Sequence, residues 1–201
     1  MRKLKIDTET YKLGAQNYCH TETKKTQIVL DVSNRKGHNH LTRLKNKDNK
    51  ATKTWNTYTI SRTGIIYEHY DPIYYSRYLG IDKFDKFNVS IVLENMGVLY
   101  ERDNKLVNLL NEYDDCVIAE IKYFGFKYWE NFSKKQLKAT ADLCKYLCTR
   151  LGINNECVDF NCFHADISKF NGIAFKSNYF NEDICTIHHL DIENFKNLLN
   201  K

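Results

Sequence analysis

Trp55-Asn56-Thr57-Tyr58-Thr59-Ile60-Ser61-Arg62-Thr63-Gly64-Ile65-Ile66-Tyr67-Glu68-His69-Tyr70 is two short runs of alternating residues joined by a turn. Tyr58, Ile60 and Arg62 fall on one face of the first run and Thr57, Thr59 and Ser61 on the other, the period of two that a strand imposes. Ile65 and Ile66 open the second run. Between them Arg62-Thr63-Gly64 supplies the glycine that a tight hairpin needs for positive φ. The stretch therefore reads as a hairpin at the centre of a sheet, and the rest of the chain is read outward from it.

At 201 residues, with one proline and eight glycines, the chain is long enough to bury a proper core and gives no sign of a second unit. No apolar run approaches the roughly 20 residues of a membrane span, and Met1-Arg2-Lys3-Leu4-Lys5 lacks the apolar core of a signal peptide. The expectation is a soluble protein, cytoplasmic as synthesised. Seven cysteines without a Cys-x-x-Cys pair indicate neither a disulfide framework nor a zinc ribbon. Cys144 and Cys148 stand at helical spacing, as buried thiols do.

The net charge of +5 is concentrated between Arg35 and Lys53, where Asp48 is the one acid among seven basic residues. Arg35, Lys36 and Arg43 could meet an anionic partner; the blander reading is a solvated loop rich in Lys and Asn. No Gly-rich phosphate loop accompanies them. A nucleic-acid partner is not expected. His38-Asn39-His40 is too short a pattern to stand as a nuclease signature.

Outward from the hairpin, Ile28-Val29-Leu30 is a continuous apolar run suited to a strand covered on both faces, ending in Asp31-Val32-Ser33. Downstream come Tyr74-Tyr75-Ser76-Arg77-Tyr78-Leu79-Gly80, then a strand pattern at Ser90-Ile91-Val92-Leu93-Glu94. Residues 100–122 are polar and read as an insertion, with a short helix around Lys105 to Leu110. Tyr123-Phe124-Gly125-Phe126-Lys127-Tyr128-Trp129 is an aromatic cluster. Ser133 with Gln136 forms a capping box, Phe132 with Leu137 a hydrophobic staple, and Gly152 a stop, which define a helix with Leu137, Ala141, Cys144, Cys148 and Leu151 inward. Cys157 to Phe163 should return as a strand delivering His164 at its end. Asp191 caps a last helix that buries Ile192, Phe195 and Leu199.

This order of elements, and the residues at the strand ends, resembles the zinc-dependent N-acetylmuramoyl-L-alanine amidases, a family shared by amidase-type phage lysozymes and peptidoglycan-recognition proteins. The resemblance runs from about Lys25 to Phe195. It implies an α/β domain over residues 1–201 with a central mixed sheet flanked by helices, residues 1–25 being an N-terminal extension. It also implies a zinc site whose first ligand is a histidine at the position of Asp31, whose second is His164, and whose third is an acid or cysteine nearest to Asp183, with Cys185, His188 and His189 as competitors. Glu94 corresponds to a supporting acid, Tyr78 stands where the family has a histidine, and Asn56 and Thr57 stand before the hairpin where reactive groups are usual.

Three functional readings follow. With Asp31 in place of histidine, a pseudoenzyme that binds a peptidoglycan fragment or a protein partner through the ancestral cleft is favoured. An active, metal-dependent amidase with altered ligands, Asp31, His164 and Asp183 around zinc, is the second. The third is a binder of a small anionic ligand such as a nucleotide at the Arg35–Lys53 segment. Without metal, Asp31 and His164 are expected to form a hydrogen-bonded pair at one end of the sheet. The Lys, Asn and Tyr-rich composition and the insertion suggest a phage or AT-rich bacterial source.

Overall fold

The computed structural model describes residues 4–48, 50–123, 125–160, 162–180, 187 and 189–201. In chain order the elements are β1 (Ile6–Asp7), β2 (Gln27–Val32), α1 (Asn39–Asp48), β3 (Tyr58–Ile60), β4 (Ile66–Glu68), α2 (Asp82–Asp85), β5 (Asn88–Leu93), β6 (Val98–Arg102), β7 (Lys105–Asn108), β8 (Ile118–Tyr123), β9 (Phe126–Glu130), α3 (Lys134–Leu151), β10 (Gly172–Phe175) and α4 (Ile192–Leu199). A six-stranded sheet has the order β1-β4-β3-β5-β2-β10, and a four-stranded one the order β7-β6-β9-β8. No helix among the described residues is long and apolar enough to cross a membrane.

The hairpin lies inside the larger sheet as its alternation requires. β3 pairs antiparallel with β4 and parallel with β5, which pairs parallel with β2. Gly64 turns the chain at φ +85°, and its amide donates to the Ser61 carbonyl at 2.9 Å. The apolar runs of β2 and β5 are buried along their whole length, each aliphatic side chain contributing about 1.5–3 kcal/mol.

α3 packs across this sheet. Ser133 accepts from the Gln136 amide at 3.0 Å and Gly152 ends the helix in the left-handed region. The capping box is half formed. The Gln136 side chain turns inward and donates to the Ile60 and Glu94 carbonyls at 3.1 and 2.9 Å, tying the helix to the ends of β3 and β5. The buried stripe is accordingly rotated toward Gln136, Thr140, Leu143 and Leu147, leaving Leu137 half-buried.

Three expectations are corrected. The segment expected as a solvated loop forms α1, because His40, Leu41 and Leu44 share one face and are buried. The helix expected around Lys105 to Leu110 is replaced by β7, which zips antiparallel to β6 through the Asp103-Asn104 turn; both turn residues have positive φ. Cys157 to Phe163 contributes one parallel bridge, Cys157 to Ile173, and forms no strand among its described residues. The strand is instead Gly172–Phe175, four buried residues docked on β2, since polar Asp159 and Cys162 interrupt the earlier segment while Gly-Ile-Ala-Phe does not.

Candidate functional site: the carboxyl ends of four parallel strands

β3, β5, β2 and β10 all run the same way. In open α/β sheets ligands bind beyond the carboxyl ends of such strands. At that end the chain places Arg62 after β3, Glu94 after β5, Asp31 near the close of β2 and Lys176 after β10.

Asp31 is 1% exposed. Phe175 pairs with Leu30, so the residue after each stands level with its counterpart, and Lys176 Nζ lies 3.0 Å from Asp31 Oδ2. The Tyr78 hydroxyl donates to the same oxygen at 2.5 Å, and the ammonium sits over the Tyr78 ring, 5.4 Å from its centroid. Oδ1 is buried with no hydrogen-bond partner among the described residues. Burial pushes the Asp31 carboxyl above its ordinary range, with Lys176 and then the Tyr78 hydroxyl pulling the other way. Tyr78 is held by the loop that follows it. The Leu79 and Ile81 amides donate to the Asp85 carboxylate at 2.8 and 3.0 Å, and burial raises that carboxyl to about 6.

Glu94, also 1% exposed, receives His38 Nδ1 at 3.1 Å, while the His38 side chain is 68% exposed. Burial raises the Glu94 carboxyl and His38 partly offsets it. The pair is thus a buried acid orienting an imidazole at the rim. Asn56 and Thr57 are turned inward: Asn56 donates to the Tyr58 carbonyl at 2.6 Å and to Thr59 Oγ1 at 2.9 Å, and Thr57 Oγ1 donates to the Tyr70 hydroxyl at 3.0 Å. Both are buried and stand at the amino end of β3, away from these strand ends. Arg35 Nη1 is 3.8 Å from Glu112, whose carboxylate also accepts from the Lys36 amide at 2.8 Å. Arg43 is exposed on α1.

His164 is exposed, its Nδ1 accepting from the Asp166 amide at 3.3 Å and its ring tilted on Phe160 at 4.9 Å. It lines a hollow of about 680 Å³ together with Val158, Phe170, Lys196 and Leu199, and with none of Asp31, Tyr78 or Lys176. The expected Asp31–His164 pair is therefore not formed. The strand beside β2 is β10, so the group delivered to Asp31 is Lys176. Asp183, Cys185 and His188 lie outside the described residues. His189 is buried, stacked between Trp129 and Phe132 at centroid distances of 5.0 and 4.5 Å.

Residues 18–174 match the family profile described as N-acetylmuramoyl-L-alanine amidase. The chain belongs to that amidase family. Solved structures agree on the fold. A mutant endolysin from Bacillus subtilis superposes with a TM-score of 0.60 at 13% identity, covering 98% of this chain and 99% of that one. The amidase LysC from Clostridium intestinale URNW gives 0.53 at 12%, covering 98% and 99%. The Staphylococcus aureus hydrolase AmiA, solved with its ligand, gives 0.51 at 10%, covering 100% and 83%. At these identities the likeness speaks for the fold alone. No curated protein matches the chain by sequence.

Amidases of this family are typically zinc-dependent, and zinc needs three protein donors converging on one point. The described residues do not fit it. No three His, Cys, Asp or Glu side chains among them form such a group, and Oδ2 of Asp31 is engaged by an ammonium. Two unit positive charges 4 Å apart repel by about 4 kcal/mol at an effective dielectric of 20, and a divalent ion doubles that. Of the sequence-derived residues the fold brings Asp31 and Tyr78 together and sets Glu94 on a neighbouring strand end. It adds Lys176 and His38, which sequence reasoning missed. Lys176 follows an apolar run of strand length, which was the available signal; nothing local points His38 at Glu94.

Proposed function

We propose that this amidase-family protein binds a peptidoglycan fragment through the cleft at the carboxyl ends of β2, β3, β5 and β10 and does not hydrolyse it with zinc. The observation that carries this reading is that the residues which the resemblance sets at the first and second ligand positions do not converge: Asp31 is enclosed by Tyr78 and Lys176, while His164 opens onto a separate hollow. What remains at the strand ends is suited to recognition. The Lys176 side chain is 24% exposed, its ammonium a donor for the carboxylates of a stem peptide, and the His38 side chain stands 68% exposed at the rim. The basic-segment reading has less support, since Arg35 and the Lys36 amide are directed to Glu112.

The test is a calorimetric titration with a muramoyl pentapeptide, run beside incubation with purified sacculi. Saturable binding without release of stem peptides is expected. Release abolished by a chelator would overturn the proposal in favour of an active amidase. That second reading has one observation of its own: the Glu94–His38 pair is able to relay a proton, so Glu94→Gln would then abolish the release.

A further inference from the structure

We infer that the Lys176 ammonium is a resident cation that neutralises Asp31 and shuts divalent metal out of the end of β2. This stands on the geometry around Asp31, whether or not the cleft takes a peptidoglycan fragment. A carboxylate that is 1% exposed is tolerated when a counter-charge and hydrogen bonds replace its water. Here one oxygen has both: Lys176 at 3.0 Å and the Tyr78 hydroxyl at 2.5 Å. The arrangement is built by the backbone, because the Leu30–Phe175 pairing in the parallel ladder brings Lys176 level with Asp31. It is also closed from above, since the Tyr78 ring lies against the ammonium and the Asp85 carboxylate fixes the loop that carries Tyr78.

The pair is asymmetric. The Lys176 side chain is 24% exposed and the Asp31 side chain 2%, so the ammonium lies between solvent and the carboxylate. An ion arriving from solvent meets positive charge first. Behind it, Oδ1 of Asp31 has no hydrogen-bond partner among the described residues. Removing the ammonium would therefore leave a buried carboxylate with one oxygen free and one held by a phenol, open along the path the lysine had filled. An uncompensated carboxylate in that position takes up a proton or an available cation.

The experiment titrates the full chain with zinc chloride by calorimetry, with thermal unfolding followed at each zinc concentration. For the wild type the isotherm should be unchanged by Asp31→Asn, which sets aside zinc taken up elsewhere on the chain. Lys176→Met, similar in length and without charge, should take up zinc through the single Asp31 carboxylate, weakly but at least tenfold above the wild type, with a zinc-dependent rise in melting temperature. Asp31→Asn combined with Lys176→Met should lack it. Should Lys176→Met fail to fold, the double variant, which removes both charges, is expected to recover folding; a double variant no more stable than the single would overturn the inference. So would wild-type protein binding one zinc in a manner abolished by Asp31→Asn, or identical isotherms for Lys176→Met and the double variant. A wild type indifferent to zinc that also ignores the muramoyl pentapeptide would remove the proposed function and leave this inference intact.

Discussion

Arg62 holds Glu130 with two nitrogens: Nη2 donates to Oε2 at 2.8 Å, and Nε lies 2.5 Å from Oε1. Glu130 is 3% exposed, and the same arginine also reaches Asp114 at 2.6 Å. The turn of the central hairpin is thereby clamped to the end of β9, joining the two sheets at the carboxyl end of β3. Arg62→Ala strands a buried carboxylate and should destabilise the protein by about 3 kcal/mol. Glu130→Gln keeps hydrogen-bonding capacity toward Arg62 and should cost less. Urea unfolding of both variants measures this, and a loss under about 1 kcal/mol for Arg62→Ala would show the pair behaving like an exposed one.

His69 is buried, with Nδ1 2.8 Å from the Tyr11 carbonyl and Nε2 2.8 Å from Thr59 Oγ1. That assigns the proton to Nδ1 of a neutral ring, and burial lowers its pKa to about 4. The unfolded chain takes up this proton near pH 6.5. The stability that the neutral ring supplies is thus present above about pH 6.5 and is lost as pH falls toward 4, by roughly 3 kcal/mol at the low end. Asp85, raised to about 6, acts in the opposite sense below that pH, because the native state holds its proton more tightly. Denaturant midpoints at pH 7 and pH 5 should therefore be compared with those of His69→Gln, in which the His69 contribution is gone and the Asp85 contribution stays. Equal slopes in the two proteins would refute the assignment.

Gln136→Leu keeps the helix but leaves the carbonyls of Ile60 and Glu94 without the donor that reaches them. The expected loss is about 2 kcal/mol, or roughly 4–8 °C in melting temperature for a chain of this size. Ser133→Ala, which removes the acceptor for the Gln136 amide, should lose about 1 kcal/mol. Scanning calorimetry ranks the two, and the reverse order would mean that the cap outweighs the stitch.

Asp31→His places at this position the imidazole that the resemblance implies there, yet leaves the ring facing Lys176. Zinc affinity should stay at the wild-type level in that variant and rise when Lys176→Met is added. Calorimetry on both proteins decides it, and a gain from Asp31→His alone would show that the ammonium yields readily to the metal.

The hairpin, the strand at Ile28 and the helix from Lys134 were legible because their patterns are local: alternation, an unbroken apolar run, a cap and a stop. The site was half legible. Asp31 stood out as a polar residue closing an apolar strand, and Glu94 likewise. Lys176 was hidden because Gly172–Phe175 was not read as a strand, although a four-residue apolar run bounded by polar residues is the mark of a buried parallel strand. α1 was obscured by its lysines and asparagines, which outnumber the two leucines that anchor it. The Glu94–His38 contact spans 56 positions and leaves no trace in any window of sequence.

β10 has four residues and lies at the margin of the sheet, and side chains along a strand alternate strictly between its faces. The choice of residue beside Asp31 is therefore discrete. One residue inserted or deleted between Gly172 and Lys176 would present Phe175 or Ser177 to the carboxylate, with no intermediate arrangement to pass through. Across related chains, the interval from the glycine that opens this strand to the lysine that follows it is the spacing that would travel with a charge-neutralised Asp31, and its lengthening or shortening would mark lineages in which that carboxylate needs another partner.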